Sequence, residues 1–126
     1  MWNEKGKGSS KSVNRDVLAA AGIEWDKGVA RCMDNVALYE KSLRGFMEEP
    51  KLNEALELFR IHDYERLQDC AQEIRVVCRN LGLTRVCETA AETAETLRKR
   101  ELNRLPGAMD RMEEAYRSAL AALTQV

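Results

Sequence analysis

From residue 13 onward, apolar residues recur every three or four positions, and no long stretch alternates with the period of two that a strand requires. That spacing lines the apolar side chains along one face of a helix, so it predicts amphipathic helices joined by short loops. Val13 to Ala21 reads as a short helix closed by Gly22. Trp25 to Met33 reads as another, with Trp25, Val29 and Cys32 or Met33 on its inner face. Asp34 or Asn35 is placed to cap a longer helix whose stripe is Val36, Tyr39, Leu43, Phe46 and Met47. Pro50 lacks a backbone donor and should kink or restart that helix. Leu52, Ala55, Leu56 and Phe59 then carry the stripe onward to Ile61.

The next segment has the most regular pattern. Asp63 is a plausible N-cap, and Tyr64, Leu67, Ala71, Ile74, Cys78 and Leu81 follow at alternating steps of three and four, the seam of a helix packed along its length. Gly82 can adopt the left-handed conformation that ends a helix. Leu83, Val86, Ala90, Ala94 and Leu97 repeat the spacing, with Ala90, Ala91 and Ala94 small enough for close approach by neighbours. After an expected break at Leu105-Pro106-Gly107, a last helix carries Met109, Met112, Tyr116, Ala119 and Leu123. Four long amphipathic helices on short loops predict an all-α fold, an antiparallel four-helix bundle with a short leading helix. Residues 1–12, rich in Gly, Ser and Lys, are expected to be a flexible tail, leaving 13–126 as one helical domain.

Composition narrows what such a domain does. A chain of 126 residues is long enough for one core. Its 20 basic residues are matched by 21 acidic ones, so no field of one sign draws in nucleic acid or an anionic membrane, and neither is expected as a partner. The Arg98-Lys99-Arg100 run falls at a predicted helix end, where it complements the helix dipole. No apolar stretch approaches the ~20 residues that cross a bilayer, and the N-terminal lysines precede no apolar core, so a cytoplasmic location is expected. Cys32, Cys70, Cys78 and Cys87 lack CxxC spacing and nearby histidines, and read as small buried apolar residues rather than disulfide or metal partners. The sequence contains no Gly-rich phosphate loop, ligand cluster or carboxylate-and-base constellation, so neither an enzyme nor a metal or other cofactor is expected.

Several motifs, in order, resemble the histidine phosphotransfer (HPt) domain family. Gly22-Ile23-Glu24-Trp25-Asp26 is similar to the family's opening turn, and Asp34 to Pro50 to its second helix, with Tyr39, Leu43, Phe46 and the proline in place. Asp63-Tyr64 resembles the junction before the central helix, Cys70-Ala71-Gln72-Glu73-Ile74-Arg75 lies on the active motif, and Asn80-Leu81-Gly82-Leu83 closes it. The resemblance spans residues 22–123 and implies a four-helix bundle of HPt type that meets a response-regulator receiver domain or a histidine kinase in a two-component phosphorelay.

The chain departs from the family at the reacting position. Gln72 stands where the family carries its phosphoryl-accepting histidine. An amide nitrogen delocalises its lone pair into the carbonyl; it forms hydrogen bonds but is no useful nucleophile. Arg75 keeps the positive charge that the family places one turn on, and Val76 replaces a small residue. His62, the single histidine, precedes Gln72 by ten residues, about 15 Å along a helix axis, and reads as a loop residue. Gln68, Gln72, Arg75 and Arg79 form one solvent stripe by spacing, with Val76 and Glu65 beside it. The resemblance implies that this stripe faces a receiver's acidic pocket, which two arginines would complement. On spacing alone the stripe is a plain solvated helix face. With the resemblance, three readings follow: a partner-binding HPt-like domain that carries no phosphate, a helical adaptor or dimerisation module outside phosphorelay, and an enzyme of unrelated chemistry, for which no residue constellation is present.

Overall fold

Every regular element in the described part of the chain is an α-helix. The computed structural model describes residues 15–48 and 50–125, so the expected tail and the proposed helix start at Val13 lie outside the described residues. The helices are α1 (Arg15–Ala20), α2 (Trp25–Arg31), α3 (Val36–Glu48), α4 (Lys51–Arg60), α5 (Tyr64–Asn80), α6 (Thr84–Arg98) and α7 (Leu105–Thr124). An isolated pairing of Ile23 with Leu83, both in turns, is the one β-type contact among the described residues. The chain is all-α.

Local chemistry explains where the helices start and stop. The Asn35 side chain accepts the Leu38 amide at 3.0 Å, and Asp63 accepts the Arg66 amide at 3.3 Å, so each supplies a partner for an otherwise orphaned donor. Pro50 is the N-cap of α4 and separates it from α3. Gly22 and Gly82 are left-handed, with φ of 78° and 76°, and end α1 and α5. The two turns interlock. Glu24 donates its amide to the Gly82 carbonyl at 2.7 Å, and a Cβ on Gly82 would lie 2.4 Å from the Glu24 carbonyl oxygen.

One expected boundary is displaced. Leu105, Pro106 and Gly107 do not break the chain but form the first turn of α7, where a proline's missing amide is not needed. The interruption falls instead between α6 and α7, with Arg100 left-handed at φ 57° and the Glu101 amide closing onto the Thr96 carbonyl at 3.0 Å.

α4, α5, α6 and α7 pack in succession, α7 also meets α4 and α1, and α2 touches both α3 and α5. Their shared interior contains Leu67, Ile74, Val86, Met109, Met112 and Tyr116, with Tyr39, Leu43 and Phe46 entering from α3. The predicted stripes of α6 and α7 are buried throughout. Elsewhere the edges differ from expectation. Val36 is exposed and Tyr64 half-buried, because each lies in the first turn, beyond the helices that cover the rest. Leu58 is buried in α4, while Leu56 and Phe59 are only half-covered. All four cysteines are free thiols, Cys70 and Cys78 buried, Cys32 and Cys87 half-buried.

Candidate functional site

α5 presents its seam of Leu67, Cys70, Ala71, Ile74 and Cys78 to the interior, which leaves the opposite face to solvent. Gln72 is exposed on that face, and the Arg75 Nε donates to its Oε1 at 2.8 Å. Arg75 and Gln68 are half-buried rather than fully in solvent, since they lie toward the edge of the exposed face. Arg79 and Val76 are exposed, and neither Arg75 nor Arg79 has an ion-pair partner among the described residues. The five residues expected to form the site therefore share one side of α5, with Gln72 central. His62 is exposed and left-handed (φ 61°) in the turn before α5, its ring 5.7 Å from that of Tyr64, and takes no part in the Gln72 face.

Sequence reasoning noted Glu65 beside the stripe but not the row that it begins. Glu65, Asp69 and Glu73 are exposed at steps of four, a spacing that lays an acidic row along the flank of Gln72 away from Arg75. Lys51 of α4 neutralises part of it, its Nζ lying 2.9 Å from Glu73 Oε1, and that contact raises the lysine pKa. Val77 adds a second exposed apolar residue next to Val76, at 42% and 46% exposure, so water covers two adjacent branched side chains. The face is thus divided: basic along one edge, acidic along the other, apolar toward the C-terminal end.

The end of α5 is closed by groups from earlier helices. Tyr39 donates its hydroxyl to the Leu81 carbonyl at 2.6 Å, and the Arg31 guanidinium donates to the Arg79 carbonyl. These satisfy carbonyls that a helix C-terminus leaves open. Burial raises the Tyr39 hydroxyl pKa well above its ordinary value, so it stays a donor. Tyr116 closes the other end of the same region, accepting the Lys51 amide at 3.0 Å and stacking on Phe46 at 5.0 Å.

Two hollows of similar size differ in chemistry. One, about 380 Å³, lies between α3 and α5, floored by Phe46, Ile74, Cys78, Leu81 and Tyr116 and walled by Gly45 and Val77. The other, about 400 Å³, lies where α6 meets α7 and is lined by Glu92, Glu95, Glu101, Arg104 and Arg111. There two of the three carboxylates are already paired: Arg111 holds Glu92 at 2.5 Å, and Arg98 holds Glu95 at 2.5 Å and draws its carboxyl pKa down to about 2. The apolar groove is therefore the hollow with unspent contact surface.

No group of three His, Cys, Asp or Glu residues among those described is arranged to hold a metal ion. No described helix is long and apolar enough to cross a membrane. Comparison with protein-family models, curated proteins and solved structures found no match to this chain.

Proposed function

We propose that the chain is a phosphotransfer-like domain that has lost its acceptor and binds a receiver domain or a histidine kinase through the Gln72 face, regulating a phosphorelay by occupancy. In this reading α3 with α4, then α5, α6 and α7, make an antiparallel four-helix bundle of HPt type, with α1 and α2 leading into it, and the protein acts in the cytoplasm. The observation that carries the proposal is the place of Gln72: mid-helix, exposed, on the face opposite the seam, and hydrogen-bonded to the arginine one turn on. The sequence motifs supply the rest of the analogy, and fold likeness alone does not fix function.

The chemistry of this position favours binding over transfer. Gln72 offers a carbonyl acceptor, already used by Arg75, and an NH₂ donor; neither attacks phosphorus. Arg75 and Arg79 give the face a positive edge suited to an acidic pocket, acting mainly on encounter rate and on salt dependence.

A second reading, an adaptor or dimerisation surface outside phosphorelay, draws on the acidic row Glu65–Asp69–Glu73 and on exposed Val76 and Val77. A receiver's acidic pocket would be repelled along that row. The experiment that separates the two is a binding panel of the host's receiver domains. The first reading expects salt-sensitive binding to one receiver, lost on Arg75→Glu with Arg79→Glu, and partial phosphoryl acceptance by the Gln72→His, Val76→Gly double variant. Receivers that neither bind the natural protein nor phosphorylate that variant would leave the adaptor reading in its place.

A further inference from the structure

α3 is held unlike the other long helices. Its main backbone neighbour is the short α2, whereas α4 through α7 pack one against the next. At its start stand Met33 and Asp34, consecutive left-handed residues with φ of 57° and 58°, a conformation that L residues other than Asn and Asp adopt at a cost. Met33 is 85% exposed, so its own side chain adds no packing to that turn, whose amides close onto the Ala30 and Val29 carbonyls. At its end the helix stops before Pro50. Along its inner side runs the open groove toward α5, and at Gly45 a Cβ would meet no atom within 4 Å.

α2, by contrast, is anchored. Its N-cap residue Glu24 donates its amide to the Gly82 carbonyl, its side chain accepts from the Thr84 hydroxyl at 2.9 Å, and Arg31 reaches the Arg79 carbonyl. Tyr39 then bridges α2 and α3, whose Leu43 is also buried and whose Phe46 stacks on Tyr116. Its ring lies over Gly28 and edge-on to Trp25 at 4.9 Å, and its hydroxyl holds the Leu81 carbonyl.

We infer that α3 is a hinged strap across the groove beside α5, pivoting at Met33–Asp34 and at the break before Pro50, and latched by the Tyr39 hydroxyl on the Leu81 carbonyl. Lifting the strap carries Phe46 away, uncovers the apolar floor at Ile74, Leu81 and Tyr116, and frees a carbonyl two residues beyond Arg79. The strap stands on the packing alone; that it would gate a partner at the Gln72 face rests on the receiver-binding proposal.

Hydrogen exchange on the free protein tests the strap without any partner. In the natural chain, amides of α3 should exchange about ten-fold or more faster than buried amides of α5, through an opening that leaves α5, α6 and α7 closed. Tyr39→Phe keeps the ring and removes the latch; it should speed α3 by about a further ten-fold while α5 to α7 stay within about two-fold. Uniform acceleration of all helices, or none, on Tyr39→Phe would overturn the latch. Should that variant fail to fold, the natural chain decides alone: α3 and α5 amides exchanging at equal rates would mean that there is no strap.

Discussion

α5 is flanked by α6 on one side and, on the other, by α4 along its first part and by α3 across the groove toward its end, and α6 and α3 are built from opposite materials. α6 brings Val86, Ala90 and Ala94 to the interior, and α7 buries Ala108, Ala115, Ala119 and Ala122. Between them the Thr93 hydroxyl lies 2.9 Å from the Thr89 carbonyl and 3.3 Å from that of Ala108, which ties the two helices at close range. α3 brings Tyr39, Leu43 and Phe46. Small side chains let helix axes draw together, while large ones at the inner positions hold them apart. The first flank is consequently continuous, and the second keeps a groove. Rigidity and openness in this molecule follow from residue size at a few facing positions rather than from a difference in helix propensity.

The largest effect should come from the interior of α5 itself. Ile74, 2% exposed, is part of the core and of the groove floor. Ile74→Ala should cost about 2–5 kcal/mol, toward the lower figure if the groove lets neighbours relax inward. Gln72→Ala, on the opposite face, should change stability by less than about 0.5 kcal/mol. Urea denaturation of both variants checks the pair, and equal losses would mean that the faces of α5 have been assigned wrongly.

Next in size is Gly28→Ala. A Cβ there would lie 2.3 Å from Cε1 of the Tyr39 ring, which is buried and also packed on Trp25. The ring has no free end to swing aside, so overpacking should cost about 1–3 kcal/mol. The loss should appear first as faster exchange in α3. A neutral result would show that Tyr39 is not seated as tightly as its geometry indicates.

These contrasts also mark what could be read from the residues alone. The seam of α5 was legible because Leu67, Ala71, Ile74 and Cys78 keep helical spacing without interruption, and Asp63 and Gly82 carry their own end signals. The exposure of Gln72 follows from that same seam. Pro106 and Gly107 misled, since a helix's first turn tolerates what its interior does not. Glu65 was legible beside the stripe, but its continuation through Asp69 and Glu73 forms a row only once the buried seam of α5 fixes which face is exposed. The caps from Arg31 and Tyr39 onto the end of α5 join residues 48 and 42 positions apart, and no local pattern announces them. The groove depends on side-chain sizes from four helices at once and was equally out of reach.

A smaller and broader effect should appear with pH. Burial raises the pKa of the hydroxyls of Tyr39 and Tyr116 above their ordinary 10.0, and the thiols of Cys70 and Cys78 above 9.0, Cys70 to about 11. Unfolding returns each group to its ordinary value, so the folded chain holds these protons more tightly. Their contribution is fully present below pH 9 and is lost as pH rises through the ordinary values toward the folded ones. Tyr116 and Cys78 line the groove, and Tyr39 latches its wall, so alkali should loosen α3 before α6 and α7. Urea midpoints at increasing alkalinity, read alongside α3 exchange, test this; a midpoint unchanged up to pH 11 would contradict the burial of these groups.

The smallest effect has the opposite sign. Gly45 sits within α3 on the groove wall, where an added Cβ meets nothing within 4 Å. A glycine in a helix interior loses more conformational freedom on folding than alanine does, so Gly45→Ala should stabilise the chain by about 0.5–1 kcal/mol. Two glycines, Gly28 and Gly45, thus predict opposite outcomes from the same substitution, one beneath a fixed ring and the other beside open space. The gain should concentrate in α3, slowing its exchange without altering α5 to α7, because helix propensity acts on the element that opens by itself. If Gly45→Ala instead destabilises the protein, the groove is closed in solution and α3 already rests on α5 at this point. The asymmetry between the two flanks of α5 would then be one of packing order rather than of open space.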